Sequence, residues 1–307
     1  MRHRFGWIAA VVLFAAAGGD VSYAQEIFNE SVIRGFEALE ENRCPEALEH
    51  FLKAHRDNPF SAAVECYVGL GYFKTGEFAL ALDRYERAAD RDESVIDSAF
   101  IFYRASCLRA LGLVDAERKE WRELAEWDPD SKFAGVAREA LRKFAGRRPA
   151  PARSLLGAGL KLWDNAPYAA AVFFREARER QDAECSDEAS LYLASALNRT
   201  GRYNEVLAME GDISDRELRG LWRMQQVLAH VGLEQWDAAL ETLGRIEDSD
   251  IVSSQAGYLR ALCQIRAGEQ EKALAAIPNL APRIETELMD VLVRLAQFNV
   301  GAKASER

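Results

Sequence analysis

The chain has 307 residues, 49% of them hydrophobic and 29% charged, which is ordinary for a packed soluble protein and leaves room for two domains or one elongated array. Its net charge of −10 argues against nucleic acid as the main ligand, because phosphate contacts need a concentrated positive surface.

The first residues read as a secretory signal. Arg2 and Arg4 form a charged start, Gly6 to Ala17 an apolar stretch, and Ser22-Tyr23-Ala24 a small-x-small exit, which places cleavage after Ala24. About a dozen apolar residues fall short of the ~20 needed to cross a bilayer, so membrane contact is expected to be peripheral at most. No Cys lies near the cleavage site, and a lipid-anchored form is not expected.

From residue 28 the chain repeats itself. Residues 28–61 carry Gly35 and Ala38 on a first helix, then Ala47, Phe51 and Ala54 on a second. Pro45 suits the first turn of that second helix, where its missing N–H is no loss, and Pro59 closes the unit. Residues 62–95 follow without a gap, with one break at Thr75-Gly76-Glu77. Gly69, Ala81 and Ala88 lie there at set distances from Tyr72, Phe78 and Tyr85. Small residues let two helix backbones approach closely, and the aromatics fill the space beside them. A third unit, 98–131, reads Ala105, Leu108, Gly112, Trp121 and Leu124 and ends at Trp127-Asp128-Pro129.

Residues 132–144 predict an amphipathic helix with Phe133, Val136, Ala140, Leu141 and Phe144 on its buried face. Gly146 stops it, and Arg147 to Pro151 reads as a short stiff linker, so the domain boundary is expected at 149–153. Seven basic residues gather here: Lys132, Arg138, Arg142, Lys143, Arg147, Arg148 and Arg153. They read as a solvated cap plus hinge, or else as a docking site for an acidic partner or an anionic membrane.

Looser repeats resume over 152–184, 187–212, 220–250 and 254–282; in the second of these the later helix fades at Gly211-Asp212. A closing helix is expected at about 283–299, with a polar tail from Gly301. The five cysteines, Cys44, Cys66, Cys107, Cys185 and Cys263, form no CxxC pattern and read mainly as small buried apolar residues. His50 and His55 lie five apart, not the three or four that would put two metal ligands on one helix face, so both are expected at the surface. HExxH, GxSxG and Walker glycine loops are absent. The glycines of Gly69-Leu70-Gly71 and Gly76 are explained by helix packing and a turn. No catalytic, metal or cofactor-binding residue is expected.

The repeated pattern of residues 28–131 resembles three tetratricopeptide repeats, and 152–282 resembles four degenerate ones. The resemblance implies an all-α fold, a right-handed superhelical solenoid of helix-turn-helix (TPR) repeats in two modules. The modules would be 25–148, including a cap, and 154–307. Residues 98–131 are also similar to the periplasmic repeat proteins of envelope machinery, in which a repeat ending in proline-x-serine precedes another amphipathic helix, as at Pro129-Asp130-Ser131. The family binds peptides or protein domains on a concave face lined by each unit's first helix. Carried onto this sequence, those positions include Val32, Phe36, Leu39, Leu70, Phe73, Lys74, Phe102, Ser106 and Arg109, an apolar groove with a basic edge. Later units contribute Leu156, Leu160, Trp163, Met224, Leu228 and Ile265, among others; about half of the whole set, especially beyond residue 152, is expected to be core. The subclass that grips a chain-terminal carboxylate places Lys, Asn and Arg where Val32, Phe36, Tyr67, Ala99 and Tyr103 stand here, so that mode is not expected. The reading is a non-enzymatic, exported interaction adaptor with a protein or peptide partner; the alternative is a permanent structural subunit of an envelope assembly.

Overall fold

The computed structural model describes residues 30–127, 129–144, 147–180, 185–209, 213–247 and 252–280. The signal sequence over 1–24, the closing helix expected over 283–299 and the tail from Gly301 lie outside the described residues. Among those described, regular structure is helical and no strand occurs. Contacts divide the chain into two compact units, Met1–Glu176 and Ala177–Arg307, a division later than the linker at 149–153.

The first unit begins with three hairpins in chain order. They are α1 (Glu30–Glu40) with α2 (Cys44–Asp57), α3 (Ala62–Thr75) with α4 (Phe78–Arg91), and α5 (Ser98–Leu111) with α6 (Val114–Trp127). Each second helix packs on the next first helix, so every hairpin covers an apolar face that its neighbour leaves open. Local chemistry sets the helix ends. Ser61 Oγ accepts from the Val64 amide at 3.1 Å and Asp97 Oδ1 from the Phe100 amide at 2.7 Å, each capping a first helix. Gly76 (φ +86°) and Gly112 (φ +74°) end α3 and α5 in the left-handed region that side chains avoid. A 3-10 turn at Glu93–Val95 precedes the two residues inserted between the second and third hairpins.

The core repeats as the sequence does. Phe51, Tyr85 and Trp121 occupy matching places on α2, α4 and α6 and are at most 2% exposed. A Cβ on Gly35 would stand 2.3 Å from the Phe51 ring, and one on Gly69 would stand 3.2 Å from the Tyr85 ring. Glycine at 35 is therefore what lets the Phe51 ring lie on the facing helix backbone, whereas the Tyr85 ring over Gly69 would need to shift only a few tenths of an ångström. Burying one such ring contributes about 2–3 kcal/mol.

Helix α7 (Lys132–Arg142) caps this stack against α6, with one correction to its predicted face. Ala134, Ala137, Ala140 and Phe144 are buried, Phe133 and Leu141 are half-buried, and Val136 is 45% exposed. The alanine stripe allows close backbone approach, and the helix turns toward it rather than toward its bulkier side chains.

The remainder of the first unit comes from α8 (Ala152–Leu162) and the start of α9 (Pro167–Glu179). Phe174 lies against Gly159, where a Cβ would meet its ring at 2.5 Å. Two buried carboxylates join this hairpin to the stack reciprocally. Asp83 of α4 accepts from the Tyr168 and Ala169 amides at 2.9 and 3.4 Å, capping α9; Glu176 of α9 accepts from the Asp115 and Ala116 amides at 3.4 and 3.2 Å, capping α6. Tyr168 also donates its hydroxyl to Asp90 at 3.1 Å and lies under the Arg87 guanidinium at 5.3 Å. These bonds are why residues 152–176 belong with the first unit although a proline-rich linker precedes them.

The second unit contains α10 (Ser186–Arg199), the short α11 (Tyr203–Ala208), α12 (Arg216–Gly232), α13 (Trp236–Leu243), α14 (Ser253–Arg266) and α15 (Gln270–Leu280). Helix α11 has six residues, and the fade expected at Gly211-Asp212 lies outside the described residues. Tyr203 fills the space beside Gly232, and Met224, Val227, Ala239, Leu243, Ala256 and Cys263 form one continuous core.

Candidate functional site

The first-helix face of the first unit is where the expected contact residues fall. Val32 does not belong to it: at 2% exposure it packs with Phe51, Ala54, Val64 and Val68, because its position on α1 points into the next hairpin. Phe36 and Leu39 are half-buried against that same cluster, Phe36 edge-on to Phe51 (5.3 Å) and Tyr67 (5.2 Å). Leu70 and Ser106 are half-buried, and Ser106 Oγ donates to the Phe102 carbonyl at 2.8 Å.

A run of half-buried rings crosses two successive first helices and the capping helix α7. Phe73 of α3 lies 5.1 Å from Tyr103 of α5, Tyr103 lies 5.3 Å from Phe102, and Phe102 lies 4.9 Å from Phe133 of α7. Such contacts contribute about 0.5–1.5 kcal/mol each beyond burial and keep the exposed ring edges in fixed positions. Two exposed cations border the run: Lys74 Nζ lies 6.0 Å from the Tyr103 ring, and the Arg109 guanidinium lies 5.4 Å from the Trp121 ring. The structure thus brings together Leu70, Phe73, Lys74, Phe102, Ser106 and Arg109 on α3 and α5, with Phe36 and Leu39 on α1.

Later first-helix positions fall in both environments. Met224 and Ile265 are core, at 7% and 2% exposure, whereas Leu160 and Leu228 are exposed.

Buried carboxylates are what the sequence reading missed. Glu65 of α3 is fully buried, 2.9 Å from both Arg84 Nη1 and Arg91 Nη1, with Arg87 Nη1 and His55 Nδ1 at 3.9 Å. His55 is therefore half-buried in an ionic cluster, not at the surface as expected, and burial holds its imidazole below the usual histidine value. Burial likewise pushes the Asp83 carboxyl up, against the opposing pull of Arg87 and the two amides it caps. Glu117 of α6, also fully buried, accepts from Arg109 Nε at 2.8 Å, Trp121 Nε1 at 3.0 Å and Arg147 Nη1 at 2.5 Å. One signal could have found it: Glu117 stands where the first two units have Ala47 and Ala81.

The basic cluster of 132–153 is partly spent inside the protein. Arg147 pairs with Glu117, Lys132 sits over Phe133 at 4.9 Å, Arg138 donates to the Pro129 carbonyl, and Arg142 and Lys143 pair with Glu139. All five cysteines are free thiols; Cys107, Cys185 and Cys263 are buried, while Cys44 and Cys66 are half-buried. Among the described residues no group of His, Cys, Asp and Glu could hold a metal ion, and no helix is long and apolar enough to cross a membrane.

Comparison with known proteins agrees with the repeats. The tetratricopeptide repeat family model matches residues 68–132 and 224–280. No curated protein matches the chain. Among solved structures it is similar to a tetratricopeptide repeat protein from Parabacteroides merdae, with 17% identity, coverage of 87% of this chain and 98% of that one, and a TM-score of 0.37. It is also similar to the TPR2AB domain of yeast Sti1 in a complex with pHSP90, with 15% identity, coverage of 76% and 97%, and a TM-score of 0.34. The TPR domain of P58(IPK) shares 11% identity over 89% of this chain and 98% of that one, with a TM-score of 0.34. With three hairpins stacked in register in the first unit and the family model matching a segment of each compact unit, the matched segments of this all-α chain are tetratricopeptide repeats.

Proposed function

We propose that this chain is a non-enzymatic adaptor of the bacterial periplasm or cell envelope that receives a segment of a partner protein on the first-helix face of its first unit. The observation that carries the reading is the half-buried aromatic run Phe73, Tyr103, Phe102 and Phe133 with Lys74 and Arg109 at its border. Rings already fixed by one another lose little freedom on binding, so a few of them can supply most of the affinity. Export is supported by the charged start, apolar stretch and small-x-small exit of residues 2–24. The repeat family and the absence of catalytic motifs in the sequence accord with a binding role.

The test is partner capture from envelope extracts by the wild-type chain and by Phe73→Asp, with circular dichroism as the folding control. The reading expects capture to be lost while the helical signal is kept. Unchanged capture by a folded Phe73→Asp chain would overturn it.

A further inference from the structure

Arg109 differs from the other exposed cations of the first unit in how it is held. Its Nε donates to Glu117 and its guanidinium plane rests over Trp121, whose own indole N–H donates to the same carboxylate oxygen. Its terminal amino groups have no protein partner among the described residues, and the side chain is 44% exposed. Glu117 keeps its other oxygen on Arg147, so the carboxylate stays paired whatever Arg109 engages. A buried acid at a place the repeat fills with alanine is costly to keep unless it serves its neighbours. A guanidinium fixed at one end and open at the other presents two parallel N–H donors, the geometry that matches a carboxylate.

Resting on the proposed use of this face, we propose that Arg109 selects an anionic side chain of the partner, a carboxylate beside an aromatic or aliphatic residue, and that Glu117 is the positioning residue for Arg109. Ser106 and Phe102, one and two turns earlier on α5, place the apolar contact next to the charge. Lys74, whose Nζ approaches the Tyr103 ring at 6.0 Å, adds attraction without fixed geometry.

The experiment uses the full-length chain and random peptides of roughly twelve residues displayed on phage. Binders lost on Phe73→Asp are synthesised with a fluorophore, each with a second version in which Asp or Glu becomes Asn or Gln. Wild type is expected to discriminate between the two versions by about tenfold. Arg109→Ala and Glu117→Gln should both remove that discrimination while retaining affinity for the amide version, a readout that general destabilisation would not produce. Arg109→Lys, which keeps the charge but lacks the fork, should discriminate weakly. Binders that depend on Phe73 but show no carboxylate preference would overturn this inference and leave the face intact as a binding site. Full discrimination by Glu117→Gln would overturn the positioning role. If no Phe73-dependent binder emerges, the reading of the face itself falls.

Discussion

Substituting Gly35 by alanine tests the packing on which the fold depends. An added Cβ would lie 2.3, 2.7 and 2.9 Å from three carbons of the Phe51 ring. That ring is fully buried and bounded by Phe36 at 5.3 Å and Tyr67 at 6.0 Å, so it has no free direction in which to move. Overpacking of this kind costs about 1–3 kcal/mol, and the tight geometry puts this site at the upper end. Alanine returns about 1 kcal/mol of helix propensity, leaving a net loss of roughly 2 kcal/mol. Gly69→Ala is the internal control, since its nearest ring atoms are at 3.2–3.3 Å and a shift of a few tenths of an ångström relieves them. There the propensity gain and the packing cost should nearly cancel. Native-state hydrogen exchange of the α1 and α2 amides reads the loss directly, and urea unfolding followed by circular dichroism should show a midpoint lower by about 1 M. Equal stability of the two variants, or a gain for Gly35→Ala, would refute the claim that glycine under the Phe51 ring sets the spacing of the first hairpin.

Three further outcomes follow from the buried groups. Glu65→Ala leaves Arg84 and Arg91 without their shared carboxylate; because both keep some solvent contact, the loss should be roughly 2–4 kcal/mol in urea unfolding, and a loss under about 0.5 kcal/mol would contradict the cluster. His55 titrates lower in the folded chain than its ordinary value of ~6.5, so its contribution to stability is present above that pH and is lost as the pH falls through it toward the folded value. His55→Gln should flatten the pH dependence of unfolding as the pH falls below the ordinary histidine value of ~6.5, and an unchanged slope would refute the assignment. Native thiol labelling should modify Cys44 first and spare Cys107, Cys185 and Cys263, whereas rapid labelling of Cys107, whose thiol burial pushes upward, would contradict its place in the core.

The fold was legible in the sequence because its determinants are local and periodic. Gly35 with Phe51 and Gly69 with Tyr85 are separated by the same sixteen residues, and the glycines at 76 and 112 mark the turns. The site was legible only in part. Leu70, Phe73, Lys74, Phe102, Ser106 and Arg109 reach the first-helix face, whereas Val32 is buried in the cluster that joins α1 to the next hairpin. The ionic interior was not legible. Asp83, Glu117 and Glu176 each bind at least one partner from 30 to 86 residues away, at spacings that no helical period contains. Glu117 alone left a trace, by breaking the alanine pattern of its predecessors.

Site-specific photocrosslinking in the native host tests the functional account most directly. A photoreactive side chain placed at Ser106, on the first-helix face, is compared with one at Lys53, exposed on the second helix of the first hairpin. The account predicts a discrete partner adduct from position 106 that is absent from position 53 and disappears when Phe73→Asp is added. An adduct from position 53 but none from position 106 would contradict it.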